Sequence, residues 1–428
     1  MQLVAKGAPD IYITDNPNIT FFKIMYRRYT EFALVDDKIK INNDPQFGAH
    51  ATVQIHPIAD LLTNLTLVVD IEQPNIVSLI APALGIQPPK YAWVKYLGYK
   101  LVKSVELIVD GETIDSIDSD LLLILNETFN PLSHQRGINN MIGNIPEMYT
   151  INSTKKPKMR LYIGIPFWFN RYKESLLPLV GLIHSNVSVK INYEDFDKLF
   201  YLERGGKIKN PAIIHSHLIG TFVYLGADER KYFATSKVEQ LMDRFTTTGK
   251  VTQKIDKINE IKLYFEDPCK FLLFRFTAKS KSNKDNTDIV YWNISGYPKR
   301  DSNNQIIQDI RSVDKIIKKI KIELNDKTRE DWKEMSYFQN LQPYYKKIQS
   351  LSGGHGIYSF ALFPRDLQPS GTTNFSYIDS AVLNVELTDF MKTLDSDDIE
   401  ITYQVWACTY NIFVTMSGLG ALLFYGSK

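Results

Sequence analysis

The 428-residue sequence predicts an all-β protein made of two similar β domains in tandem. Three observations lead there. Apolar and polar residues alternate with period two along the whole chain, helical stretches are few and short, and the two halves repeat one order of elements.

The alternation is clearest in "NLTLVVDIE" (64–72), "NVSVKINYE" (186–194), "KIKIEL" (319–324) and "IEITYQVWAC" (399–408), each read as a strand. "SVELIVDGETID" (104–115) reads as a hairpin with Asp110-Gly111 at its tip, the pair that suits a type I′ turn. Helices are expected over 119–129, 228–245 and 329–341, the last with Thr328 and Asp331 as an N-terminal capping box. Many short strands with few helices point to sandwich or barrel domains.

In the first half, "ELIVDGETID" precedes a short helix, then the aromatic strand "LYIGIPFWF" (161–169), an irregular connection and "HSNVSVKINYED" (184–195). In the second half, "KIELNDKTRE" (321–330), turning at Asn325-Asp326, precedes the helix at 329–341, then "YSFALFP" (358–364), an irregular corner and "IDSAVLNVELTD" (378–389). The copies differ in loops. Residues 130–158 lengthen the first and 279–305 enlarge the second, both polar and far longer than ordinary connections of about 4–6 residues. The clustered Gly205, Gly206 and Pro211 place the division near 202–211, so we expect an N-terminal arm at 1–20, a first domain at 21–205 and a second at 206–428.

Composition narrows the function. A net charge of +2 gives no nucleic-acid footprint, and 24 Tyr and 23 Phe are a β-leaning inventory. Two cysteines, Cys269 and Cys408, make no disulfide framework and point to a reducing compartment. Lys6 and Asp10 interrupt the start before any apolar run, so no signal peptide is expected. The most apolar stretch, 412–425, contains Gly418 and Gly420 and falls short of the roughly 20 residues of a span; it reads as a buried strand and turn in a soluble protein.

The search for chemistry yields no catalytic, cofactor or metal residues. His215 and His217 can share a strand face, but no third ligand is indicated. The glycines around His355 in "SLSGGHG" read as a turn, and the basic run 311–324 as a solvated strand face. The sequons at Asn152 and Asn293 fall in the two long loops.

Two segments look specified without being catalytic. The corner with Pro364, Gln368, Pro369, Ser370 and Gly371 carries prolines that fix φ, a glycine that permits close approach, and hydroxyls that satisfy backbone groups. The arm has apolar residues, Leu3, Val4, Ile11 and Ile13, broken by Gly7, Pro9 and Pro17, so it forms neither a long helix nor a regular central strand and reads as a tether.

The corner "QPSGTTNFSYIDSAVLNVEL" resembles a signature of the double jelly-roll major capsid proteins of nucleocytoplasmic large DNA viruses, the chlorella virus, iridovirus and marseillevirus group. "MQLVAKGAPDIYITDNPNITFFKIMYRRYTEFA", "YAWVKYLGYKLVKSVELIVDGETID", "IPFWFNR", "VYLGADERKYFA", "YFQNLQPY" and "MSGLGALLF" resemble family segments in the family's order. The resemblance implies two tandem eight-stranded antiparallel jelly rolls with a few short helices. It also implies a homotrimeric, pseudo-hexagonal capsomer of an icosahedral virion, assembled in the host cytoplasm and touching neighbouring capsomers and minor capsid proteins. No enzymatic activity, cofactor or direct nucleic-acid contact is expected, and an internal viral membrane lies near without the chain inserting. A transient assembly scaffold or minor capsid protein of the same fold is one alternative reading; a carbohydrate-binding protein or glycosidase is the other.

Overall fold

The computed structural model describes residues 7–24, 28–41, 45–78, 88–203, 206–209, 213–255, 259–280, 286–293, 299–300, 306–308, 316–394 and 396–424. The first half contributes β1 (Phe32–Lys40), β2 (His50–Gln54), β3 (Leu61–Ile71), β4 (Val102–Val109), β5 (Glu112–Asp118), β6 (Met159–Gly164), β7 (Val187–Tyr193) and β8 (Ile213–Leu225). The second contributes β9 (Val238–Thr247), β10 (Glu260–Lys262), β11 (Pro268–Ser280), β12 (Ile317–Leu324), β13 (Lys327–Glu334), β14 (His355–Ser359), β15 (Ala381–Leu387) and β16 (Ile399–Met416).

Strand order identifies the architecture. In the first half the sheets run β1-β8-β3-β6 and β2-β7-β4-β5; in the second they run β9-β16-β11-β14 and β10-β15-β12-β13, with short strands added at the margins of the larger sheet. Adding eight to each number of the first pair gives the second. The strand pairings within these sheets are antiparallel, and two facing sheets joined by Greek-key crossings form a jelly roll. The chain is a double jelly roll.

The repeated hairpins explain part of this match. Asp110 and Gly111 (φ 51° and 88°) join β4 to β5, and Asn325 and Asp326 (φ 49° and 57°) join β12 to β13. Positive φ at both turn residues matches the twist of the flanking strands, and Asp, Asn and Gly tolerate it at low steric cost.

Three sequence expectations need correction. The stretch 228–245 is not one helix: α2 (Ala227–Thr235) ends at an extended Ser236, and β9 follows. The whole of β9 pairs with β16, from Val238 opposite Thr415 to Thr247 opposite Trp406, and this distant pairing overrides local helical periodicity. Likewise 329–341 begins as β13, so Thr328 and Asp331 sit in a strand rather than a capping box; a π-turn at Tyr337–Leu341 and a helix at Gln342–Tyr345 come after. The expected division near 205 is also displaced, because β8 pairs with β1 and β3 and completes the first sandwich. The crossing to the second sandwich follows Leu225. By contrast, α1 (Ser119–Phe129) spans the predicted residues, capped where Asp118 accepts from the Leu121 N–H at 2.8 Å.

The first core fills the space between its sheets with Leu65, Leu67 and Val69 of β3, Val105 and Leu107 of β4, and Val189 and Ile191 of β7, all buried. Leu272, Phe274 and Phe276 of β11 do the same in the second core with Ile320, Ile322, Leu383 and Val405. The intervening β11 residues are also buried: Phe271 and Leu273 join the first core, as do Trp406 and Cys408 of β16. The sheet β9-β16-β11-β14 is therefore a shared wall, with one face inside its own sandwich and the other against the first. Truncating either face should cost alike. Phe271→Ala and Phe274→Ala are each expected to destabilise by about 3–5 kcal/mol in urea unfolding, whereas a solvent-facing Phe271 would cost under about 0.5.

Candidate functional site: the buried seam and the exposed surfaces

Sealing the shared wall places charged residues out of water, and most are met by a partner from the other half. Asp243 of β9 is fully buried. Its carboxylate takes Arg171 at 2.7 Å, the Tyr172 hydroxyl at 2.7 Å and the Lys270 ammonium at 3.2 Å. Burial alone would raise this carboxyl, but the Arg171 and Lys270 charges prevail and hold it below the usual range. Arg171 and Tyr172 follow β6 through a short helix at Trp168–Arg171, so one carboxylate ties the first sandwich to the second.

The start of α1 supplies two more carboxyls to the seam. Asp118 accepts from Gln404 Nε2 at 2.8 Å and Trp406 Nε1 at 2.9 Å, both on β16. Asp120 pairs with Arg275 of β11 and with Lys250, and lies well below the usual carboxyl range: burial opposes this, and Arg275, Lys250 and Lys100 overcome it. Further along α1, Glu127 meets the buried His355 of β14, Oε2 to Nδ1 at 2.9 Å. His355 follows the glycine run, whose Gly353 and Gly354 adopt positive φ in the turn entering β14.

Asp115 of β5 is the exception. One oxygen accepts from the Phe245 N–H at 3.3 Å, while the other is buried without a partner. Burial pushes the carboxyl up to about 7, against the pull of Arg171. A proton on the orphan oxygen accounts for both facts.

The corner connects to the same seam. Lys270 donates to the Asp366 carbonyl at 2.6 Å, and its own carbonyl accepts from the Phe360 and Ala361 N–H groups. Leu362 N–H meets the Ser370 carbonyl and Phe363 N–H meets Ser370 Oγ at 2.9 Å, closing the loop on itself. Gly371 has φ 125°, and a Cβ there would come within 3.0 Å of the Phe360 carbonyl oxygen. Pro364 is buried, whereas Gln368 and Pro369 face outward.

The arm behaves differently. Its described part forms a 3-10 turn at Ala8–Asp10 and a single helical turn at Ile11–Thr14, with no buried residue. Ile11 and Ile13 are exposed, as are Tyr12, Phe21 and Phe22, while Leu3 and Val4 lie outside the described residues. Exposed apolar residues continue along edge strand β1 as Phe32, Leu34 and Val35. Large apolar side chains thus stand exposed along the arm and the start of β1.

The two long loops meet: Tyr149 and Ile151 from one pack with Val290 and Tyr291 from the other around Ala92 and Tyr201. Asn152 sits there in a hydrogen bond from the buried Lys156 at 2.9 Å. His215 and His217 lie on β8 opposite Asp70 and Val68, and Asp70 is engaged at 2.6 Å by Arg160. Among the described residues, no group of three His, Cys, Asp or Glu side chains is placed to hold a metal, and no helix is long and apolar enough to cross a membrane. The stretch 412–425 enters the wall as the end of β16 and turns at Ser417-Gly418 into a strand at Leu419–Leu422.

The sequence reading missed the seam residues Arg171, Asp243, Lys270 and Arg275. For Lys270 and Arg275 the signal was present in "PCKFLLFRF": two cations inside an otherwise apolar run are tolerated only if each meets an anion.

A structural shell protein, with its chemistry spent on internal locking and on apolar contact surfaces, is the class these features define. Comparison with known proteins agrees. Residues 20–216 match the major capsid protein N-terminus model, and residues 229–421 match the model of the large eukaryotic DNA virus major capsid protein. The major capsid protein of Pyramimonas orientalis virus is 30% identical over 99% of this chain and 98% of its own length, and that of Paramecium bursaria Chlorella virus 1 is 27% identical over 99% and 98%. Among solved structures, the PBCV-1 virus capsid protein superposes with a TM-score of 0.73 at 22% identity, covering 95% of this chain and 100% of that one. The Faustovirus major capsid protein gives 0.74 at 10% identity, covering 95% and 94%. The chain belongs to the major capsid protein family of large eukaryotic DNA viruses. These relatives are structural proteins rather than enzymes, which sets aside the carbohydrate-active reading.

Two outcomes test the seam. Lys270→Met strands Asp243 beside one cation and should cost about 3–5 kcal/mol in chemical unfolding. The Asp115 carboxyl is raised in the folded state from an unfolded value of about 3.9, so the folded protein holds its proton more tightly. The stability this provides is full below about pH 4 and is lost as pH rises through about 7. Asp115→Asn removes the dependence, so the melting temperature of the variant relative to the parent should rise between pH 5 and pH 8.

Proposed function

We propose that three copies of this chain form a pseudo-hexagonal capsomer that tiles an icosahedral virion shell assembled in the host cytoplasm. The observation that carries this reading is the shared wall. It fuses two sandwiches of identical strand order into one block, so three chains present six similar units around an axis. Edge strand β1, with Phe32, Leu34 and Val35 exposed, offers apolar surface for a neighbouring copy, and an obligate interface of this kind buries about 2,000 Å² or more. The corner from Pro364 to Gly371 serves as a shape element. Its anchoring to Lys270 supports this, because it couples the loop to the seam.

The arm tethers each capsomer to neighbouring capsomers or to minor capsid proteins, through Ile11 and Ile13 and, beyond the described residues, Leu3 and Val4. Its exposure supports this role: a segment without a core of its own becomes ordered on a partner's surface, which offsets an entropy cost of about 1–2 kcal/mol per residue. The shell makes no direct nucleic-acid contact and lies close to an internal membrane without inserting.

Light scattering on the purified chain should give three times the chain mass at micromolar concentration. A monodisperse monomer would refute the capsomer. Deleting residues 1–15 should change unfolding free energy by less than about 0.5 kcal/mol while abolishing lattice assembly, and normal particles from the truncated chain would refute the tether.

A further inference from the structure

A polar cavity opens where the sandwiches meet, next to the Asp120 cluster. It has a volume of about 160 Å³ and is lined by Lys100, Asp120, Lys250, Arg275, Trp292 and Gln404, among others. Lys100 comes from the first sandwich, in the short helix Leu97–Leu101 that precedes β4, while Lys250 and Arg275 come from the second. Three cations therefore converge on one space.

Their partners do not match them in number. Asp120 serves both Arg275 and Lys250. The neighbouring Asp118 has both oxygens engaged, by the Leu121 N–H and by Gln404 and Trp406. Glu194, also within electrostatic reach of Lys100, is paired with Lys198 at 3.0 Å. Lys100 has no ion-pair or hydrogen-bond partner among the described residues; its ammonium lies 4.7 Å from the centroid of the Trp292 ring, which also carries the Arg275 guanidinium at 5.4 Å. Arg275 is buried, and its Nε–H has no acceptor. A buried donor left unsatisfied is destabilising, and an ammonium without a counter-charge adds to that.

We propose that this cavity is a binding site for a small tetrahedral oxyanion of the inorganic phosphate or sulfate class, held by Lys100, Lys250 and Arg275. The anion supplies the acceptors that Lys100 and the Arg275 Nε–H lack, and it neutralises the excess positive charge. Charge-assisted hydrogen bonds to such oxygens are the strong kind, and a phosphate presents them in several directions at once. At about 160 Å³ the cavity accommodates such an oxyanion. Because its ligands come from both sandwiches, the bound anion acts as a removable strap across the seam. Lys250, half exposed, stands at the mouth and gives the anion its way in.

The test is calorimetric titration of inorganic phosphate into the full chain at pH 7 in chloride buffer, paired with thermal melts in phosphate and chloride at matched ionic strength. The parent should bind phosphate and melt higher in it. Lys100→Gln and Lys250→Gln should each weaken binding by about tenfold or more, the loss expected for one charge-assisted contact, and should lose the phosphate-specific rise in melting temperature. Absence of binding heat in the parent would overturn the proposal. So would an equal phosphate-induced rise in both variants, which marks the general exclusion of kosmotropic salts from protein surface. Should Lys100→Gln fail to fold, the half-exposed Lys250→Gln carries the same comparison.

Discussion

The sheet β9-β16-β11-β14 has no face left for water, and the rest of the molecule is organised around that constraint. Alternate residues of β11 and β16 enter different cores: Phe274 and Val405 their own, Phe271 and Trp406 the neighbour's. Ordinary sandwich strands keep one polar face, which lets a domain stand alone. Here the second sandwich would expose a broad apolar sheet if it were separated, so the two jelly rolls form one cooperative body rather than beads on a linker. Continuous apolar strands are the sequence signature of such double burial, more familiar from parallel sheets covered by helices on both sides.

Apolar contact is non-directional, and a flat apolar wall by itself would tolerate several docking angles. The buried ions supply direction. Asp243 reaches Arg171, Tyr172 and Lys270 together only in one relative placement of the halves, and Asp118 and Asp120 set two further points along the same seam. Such groups add little stability relative to a well-packed apolar replacement, but a misdocked arrangement would leave charges buried alone, at several kcal/mol each. The result is a block with a defined angle between its two jelly rolls. A shell subunit depends on that angle, since small angular errors accumulate across a lattice.

The outer surface follows the opposite logic. Ile11 and Ile13 on the arm, Phe21 and Phe22 just after it, and Phe32, Leu34 and Val35 on β1 are left in water by the single chain. Jelly rolls host enzymes, lectins and capsids alike, so the fold does not choose among them. In this chain the buried ionisable clusters line an internal seam, while large apolar side chains stand exposed on the arm and on β1.

Much of this was legible in the chain alone. Period-two alternation located β3, β4, β7, β12 and β15, and Asp110-Gly111 and Asn325-Asp326 located their hairpins, because side-chain alternation and positive-φ turns are local properties that a short segment carries by itself. The repeat of one element order, and the corner and arm as segments without a regular interior, were legible for the same reason. Tertiary structure decided the rest. Whether 238–247 is helix or strand depended on β16, more than 150 residues away; whether β8 belonged to the first or second half depended on β1 and β3; and Lys270 and Arg275 acquired meaning only when Asp243 and Asp120 were brought to them. Each of these turns on pairing between distant segments, a free energy that appears only when both partners are in place and that no local pattern encodes.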